Sequence, residues 1–290
     1  MTWTMLPDAA ANMASCATPS CIPLSCGTWR FFVTENEEPF EILLVALRWV
    51  AFWAVVWLTC IPIASRFVIP HMPPSSKARE NQPAYVGQKL ATTVKVLVCC
   101  IPANYALLVD LWHADVAIQY GGYELSAAFG IVFTTFEAVD MVMCAWFGFL
   151  DAEYFFHHSV HIAFGFIMRP NCAFAMTAAV LLAQETSGIF LQYFLLMRNR
   201  QPDHPTIAIS FVLFAICFFT WRLGLGTWGT LHYMAHYRTL EVPLWQGHIL
   251  GGLLTLGSVL QWYWGLFIVK SAVRKVLGGK TKEAKGAKRE

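Results

Sequence analysis

The chain has 290 residues, of which 57% are hydrophobic, 15% aromatic and only 13% charged. Soluble domains carry about 25% charged residues, so the composition excludes an ordinary water-soluble fold and predicts an all-α, polytopic membrane helix bundle. A formal charge of +2 without basic–aromatic interleaving gives no footprint for nucleic acid.

Residues 1–40 form a polar head, expected outside the cytosol. They lack a basic region followed by an apolar core, so the first spanning helix is expected to act as the targeting signal. Cys16, Cys21 and Cys26 lie in this head without a CxxC pair, which argues against zinc. A disulfide with one odd thiol and a set of free thiols both remain open. Cys60, Cys99, Cys100, Cys144, Cys172 and Cys217 fall in apolar runs and read as small buried hydrophobes.

A spanning helix needs about 20 mostly apolar residues. Runs of this kind occupy about Ile42–Ile69, Leu90–Leu111, Glu124–Leu150, Tyr154–Met168, Cys172–Met197, Ile207–Tyr233 and His248–Val269. The fourth is short, closed by Arg169-Pro170, so six or seven spans are expected. The bundle is placed at 41–272 and a structureless basic tail at 273–290. The bases Arg66, Lys77, Arg79, Lys89, Arg198, Arg200, Lys270 and Arg274, with those of the tail, fall on one side if all seven runs span. Only Arg30, Arg169 and Arg238 flank the other side. Basic loops stay in the cytosol, so the C-terminus is expected there. The tail reads as a topology determinant, with a weaker option of contact with anionic lipid.

Ionisable groups at membrane depth are costly and normally face the bundle interior. Lys95, Glu137, Asp140, His157, His158, His161, Glu185 and Arg222 all lie within the runs. Glu137 and Asp140 share a helix face at i, i+3, and His157 and His161 share one at i, i+4. Arg222 is the obvious counter-charge for Glu185. Either these groups are glue between helices, or they converge on one interior site. An imidazole within reach of a thioester can act as general base or nucleophile, with Asp140 or Asp151 orienting it. Metal binding by His157-His158-x-x-His161 and His232-x-x-x-His236 is disfavoured, because the two clusters fall at opposite membrane faces, and no bound metal or cofactor is expected.

The stretch "FEAVDMVMCAWFGFLDAEYFFHHSVHIAFGF" resembles the centre of the TLC (TRAM–Lag–CLN) domain through Phe136, Asp140, Asp151 and His157-His158. "LLAQETSGIFLQYFLLMRNR" resembles the family's E-x-S-x-x-F helix through Glu185, Ser187 and Phe190, and "FFTWRLGLGTWGTLHYM" its late arginine helix through Arg222. The order and spacing match over about 124–237, and the TLC-like core is placed at about 70–270. The resemblance implies a membrane protein of lipid metabolism, expected in the endoplasmic reticulum, with acyl-CoA as a co-substrate of acyl transfer. His157 and His158 would act on the acyl group, with Asp140 and Asp151 assisting. Glu137, His161, Glu185, Ser187 and Arg222 would line the substrate site. A non-catalytic protein holding or sensing a membrane lipid is the alternative, and a homodimer is left open.

Lys95 stands where relatives often have a histidine. The acid pair that ceramide synthases carry downstream of the histidines is replaced by "QETSGIFLQ", so the chain is more similar to small stand-alone TLC-domain proteins. Fatty-acid elongases form a third comparison through Glu137-x-x-Asp140. There Tyr154 stands where the box needs its first histidine.

Overall fold

The computed structural model describes residues 39–119, 124–168, 174–239 and 243–286. All elements among them are helical. Helix α1 (Pro39–Ile63) continues through a wide π-helical turn (Ala64–Val68) and a 3-10 turn (Ile69–His71). Helix α2 (Pro83–Tyr105) continues in a π-helical turn (Ala106–Leu111), and a short α3 (Val116–Gln119) follows. Next come α4 (Glu124–Trp146) and α5 (Ala152–Met168). The fifth rod is α6 (Ala175–Gln184), a 3-10 turn (Glu185–Ser187) and α7 (Gly188–Met197). The sixth is α8 (Pro205–Cys217), a π-helical segment (Phe218–Leu225) and α9 (Gly226–His236). Helix α10 (Leu244–Gly286) is the last.

Six of these rods are long and apolar enough to cross a membrane: Leu43–His71, Pro83–Leu111, Ala128–Trp146, Ala175–Met197, Pro205–Thr239 and Leu244–Arg274. Helix α5 has 17 residues, about 26 Å of helix, less than a usual span. It nevertheless runs from one end of the bundle to the other, as its neighbours show. Ser76 N donates to Asn199 O at 3.1 Å, and Asn199 Nδ2 donates to Glu80 Oε1 at 2.7 Å. Arg200 Nη1 reaches Pro73 O at 2.9 Å, and the Arg79 guanidinium lies 5.1 Å from the Phe149 ring. The connections after α1, α4 and α7 are thus clasped together at one end. At the other end Val116, Met168, Phe174 and Tyr237 share one apolar cluster, so the remaining connections gather there. Seven rods of alternating direction satisfy both facts. They bring Arg66, Lys77, Arg79, Arg198, Arg200 and the far part of α10 to the same end. Arg48, exposed on α1, lies toward the opposite end.

Burial explains the packing. Trp49, Trp53 and Trp57 recur every four residues on α1 and make one buried face. Trp53 Nε1 donates to Val132 O at 2.8 Å. The other face of α1 exposes Leu43, Leu47, Val55 and Leu58, as a helix meeting hydrocarbon does. Close crossings need small residues. A Cβ on Gly87 would come within 3.1 Å of the Cys60–Ile61 backbone, and one on Gly165 within 1.9 Å of Thr134 Oγ1. Gly148, at φ +70°, ends α4 and turns the chain into α5.

Three expectations are adjusted. The tail read as structureless from residue 273 continues α10 to Gly286; its Ala, Lys and Glu are good helix formers. Helix α2 begins seven residues earlier than the apolar run, at Pro83, because proline suits a first helical turn. Cys60, Cys99, Cys100 and Cys144 are buried free thiols, while Cys217 is partly exposed. The head with Cys16, Cys21 and Cys26, together with Arg30, Arg169 and Cys172, lies outside the described residues.

Candidate functional site

The first two turns of α5 hold the geometry together. Asp151 Oδ1 accepts from Tyr154 N at 2.9 Å, so this exposed aspartate caps the helix. From there His157 and His158, adjacent in sequence, turn to different places.

His158 faces inward and is buried. Its Nε2 lies 2.8 Å from Glu137 Oε2 and 3.3 Å from Asp140 Oδ2. Its Nδ1 lies 2.9 Å from Tyr154 O. Carboxylates and carbonyls only accept, so the ring that fits carries hydrogen on both nitrogens. Glu137 Oε1 continues to Lys95 Nζ at 3.0 Å, and Lys95 Nζ to Glu185 Oε2 at 3.0 Å. Glu185 Oε1 meets Arg222 Nη2 at 2.6 Å, and Arg222 Nε donates to Ser187 Oγ at 2.9 Å. The result is one buried row of alternating sign, Asp140–His158–Glu137–Lys95–Glu185–Arg222, with three acids facing three bases.

Local backbone form sets up this row. Glu185 sits in a tight 3-10 turn and Arg222 in a wide π-helical segment, and these two irregular turns pack against each other. Such departures from α geometry often mark functional positions. Lys95 also lies 4.4 Å from the Phe133 ring centroid, a cation–π contact that shields it further. Asp140 is fully buried and saturated. Trp57 Nε1 donates to its Oδ1 at 2.9 Å. Gln88 Nε2 lies 3.3 Å from its Oδ2, and the Tyr154 hydroxyl donates to the same oxygen.

His157 and His161 look the other way, into a cleft between α5, α6, α9 and α10. It is narrow as it stands: a water-sized sphere has about 30 Å³ to sit in, within about 480 Å³ of atom-free space that includes the open mouth. Its polar lining is His157, His161, Gln184, Thr230, Ser258 and Gln261, among apolar groups such as Phe156, Phe164, Leu253 and Leu254. Phe156 is 40% exposed, so the cleft reaches the outer, lipid-facing surface. The His157 and His161 rings lie 4.3 Å apart, and Trp264 packs 5.5 Å from His157. His161 Nδ1 and Gln261 Oε1 are buried without a hydrogen-bond partner. Buried polar atoms are almost always paired in folded proteins, so two orphans lining one cleft are notable.

Of the expected site residues, the structure brings Asp140, Glu137, His158, Glu185, Ser187 and Arg222 into one network. His157 and His161 belong to a second place, and Asp151 to neither. The His157 and His158 rings nevertheless lie 5.6 Å apart, so the two places adjoin. His158 has carboxylates but no place on the cleft wall; His157 has the cleft but no carboxylate bonded to it. Trp57 and Gln88, which hold Asp140, and Gln184, Thr230, Ser258 and Gln261, which line the cleft, have no part in the sequence-based expectations for the site, and Tyr154 enters them only in place of an elongase histidine. The readable signal was amides and hydroxyls inside apolar runs.

Among the described residues no group of three or more His, Cys, Asp or Glu side chains is placed to hold a metal ion. His236 Nδ1 instead bonds His232 O at 2.8 Å, and His232 stacks on Trp228 at 4.9 Å.

Among curated proteins none matches the chain. The family model for the TLC domain matches residues 85–270, more than half of the chain, and takes in every member of the charged row and every wall of the cleft. That match and the apolar rods make this an integral membrane protein of lipid metabolism or sensing; the chain belongs to the TLC-domain family.

Proposed function

We propose that the protein binds a membrane lipid in the cleft between α5 and α10, as a holding or sensing protein akin to the small stand-alone TLC-domain proteins, and that the charged row serves as framework. One observation carries this reading: two residues with buried, unpartnered polar atoms, His161 (Nδ1) and Gln261 (Oε1), line one cleft that opens to the outer surface. The row, by contrast, has its charges matched internally. A general base must be free to take a proton from a substrate, and His158 already donates on both sides.

The acyl-transfer reading keeps one supporting observation, that His157 lines the cleft wall. In that version His157 alone would act, with acyl-CoA as co-substrate and no orienting carboxylate. The elongase comparison gives way to the family match, which is to the TLC domain over residues 85–270.

The test is photo-crosslinking of a bifunctional lipid to the purified protein in vesicles. Binding predicts that label maps to α5 and α10 and falls on filling the cleft, with no acyl-CoA turnover. Label spread evenly over lipid-exposed helices would overturn the binding reading. Turnover of acyl-CoA that His157→Ala abolishes would replace it with acyl transfer. We place the basic end of the bundle, and the C-terminus with it, on the cytosolic side of the endoplasmic reticulum membrane. A C-terminal epitope that antibody reaches after selective permeabilisation of the plasma membrane supports this placement.

A further inference from the structure

The chemistry of the cleft wall narrows the ligand. Six polar side chains line it, and none is Asp, Glu, Lys or Arg. This contrasts with the row a few residues away, where every nearby ionic group of the bundle core is already paired. A phosphate or carboxylate entering the cleft would find no unpaired cation there. An isolated ion away from water is strongly disfavoured. The wall does offer both hydrogen-bond roles. Ser258 and Thr230 carry hydroxyls, which bond each other at 2.8 Å. Gln261, 8% exposed, holds a buried acceptor oxygen without a partner behind the wall, and His161 a buried ring nitrogen without one. Gln119, Thr177, Gln192 and Glu137 also carry an oxygen without a hydrogen bond, but none of them lines the cleft, and that of Glu137 is ion-paired with His158 at 2.8 Å.

From this wall we infer that the cleft takes a lipid with an uncharged, hydroxyl-bearing head, and discriminates against the same chains carrying a phosphate. A hydroxyl both donates and accepts, so it can serve the acceptor of Gln261 and the ring nitrogen of His161. The apolar walls take the first part of the chain. The remainder runs out past Phe156 along the apolar outer flank of α10, where Leu256 and Val259 are exposed. The inference rests on the lipid-binding reading above and adds the class of head.

Gly257 supplies a clean probe. It lines the cleft, and a Cβ placed on it would meet nothing within 4 Å. Gly257→Leu therefore fills the cleft without pushing on backbone. The experiment uses the full chain in phosphatidylcholine vesicles with three photoreactive probes at equal mole fraction. They are a diacylglycerol, a sterol, and a phosphatidic acid with the diacylglycerol's chains. Label is quantified by mass spectrometry and mapped. The expected result is that a neutral probe labels 253–264 at least fivefold more than phosphatidic acid. That label should drop at least fivefold in Gly257→Leu and in Gln261→Leu, both of which keep the wild-type melting temperature. If Gly257→Leu unfolds, Gln261→Leu alone carries the comparison, because it removes the acceptor at nearly constant volume. Phosphatidic acid labelling the same segment as strongly, and blocked by the same variants, would overturn the uncharged head and leave lipid binding intact. No probe labelling the segment above background would overturn both.

Discussion

Two neighbouring imidazoles divide this molecule. His158 and the row it belongs to are buried and matched in charge, each member ion-paired with the next. His157 and His161 border a cleft where two buried polar atoms of lining residues, His161 Nδ1 and Gln261 Oε1, have no hydrogen-bond partner. Both regions look alike in sequence, as polar groups in greasy helices. The difference teaches that intramembrane polarity alone does not mark a working site. The useful criterion is satisfaction: a polar group fully partnered by its own chain is framework, and one left short of a partner is open to a ligand.

The sharpest way to break this contrast is to remove the centre of the row. Lys95→Met leaves Glu137 and Glu185 facing each other without a bridge. Breaking a buried pair costs about 3–5 kcal/mol, so thermal unfolding in detergent should shift down by ~10 °C or more. A shift within ~2 °C would show that the row is not structural. Next in size is the coupling between Glu185 and Arg222. Glu185→Gln and Arg222→Met should each destabilise. The double variant should be more stable than their sum by about 1–3 kcal/mol, read from a double-mutant cycle. Tyr154→Phe removes one of several donors to Asp140 and should cost about 1 kcal/mol in the same assay. Smallest is Asp151→Ala, which removes a helix cap worth ~1 kcal/mol and should leave lipid labelling unchanged. A loss of lipid handling there would return Asp151 to the site.

The helices were legible because apolar runs of sufficient length are dictated by the bilayer. All seven runs expected from the sequence appear as rods, and the basic connections fall at one end. Boundaries were less legible. Tyr85, Gln88 and Lys89 belong to α2, yet their polarity places them outside an apolar run, and Gln88 as a partner of Asp140 was lost with them. The pairing of Glu185 with Arg222 follows from two opposite charges on consecutive runs. The parting of His157 from His158 does not. Neighbours on a helix point about 100° apart, so one faces α4 and the other the cleft. Which is which depends on the rotation of α5. The close crossing of Gly165 against Thr134 constrains that rotation, and it is a long-range contact that no local pattern encodes.

The most direct test is the melting temperature of His158→Ala beside that of His157→Ala, in one detergent and one preparation. His158→Ala should unfold many degrees below wild type, because it strands Glu137 and Asp140 in the core. His157→Ala should melt close to wild type. Equal shifts for the two variants, or a larger one for His157→Ala, would contradict the division between framework and cleft.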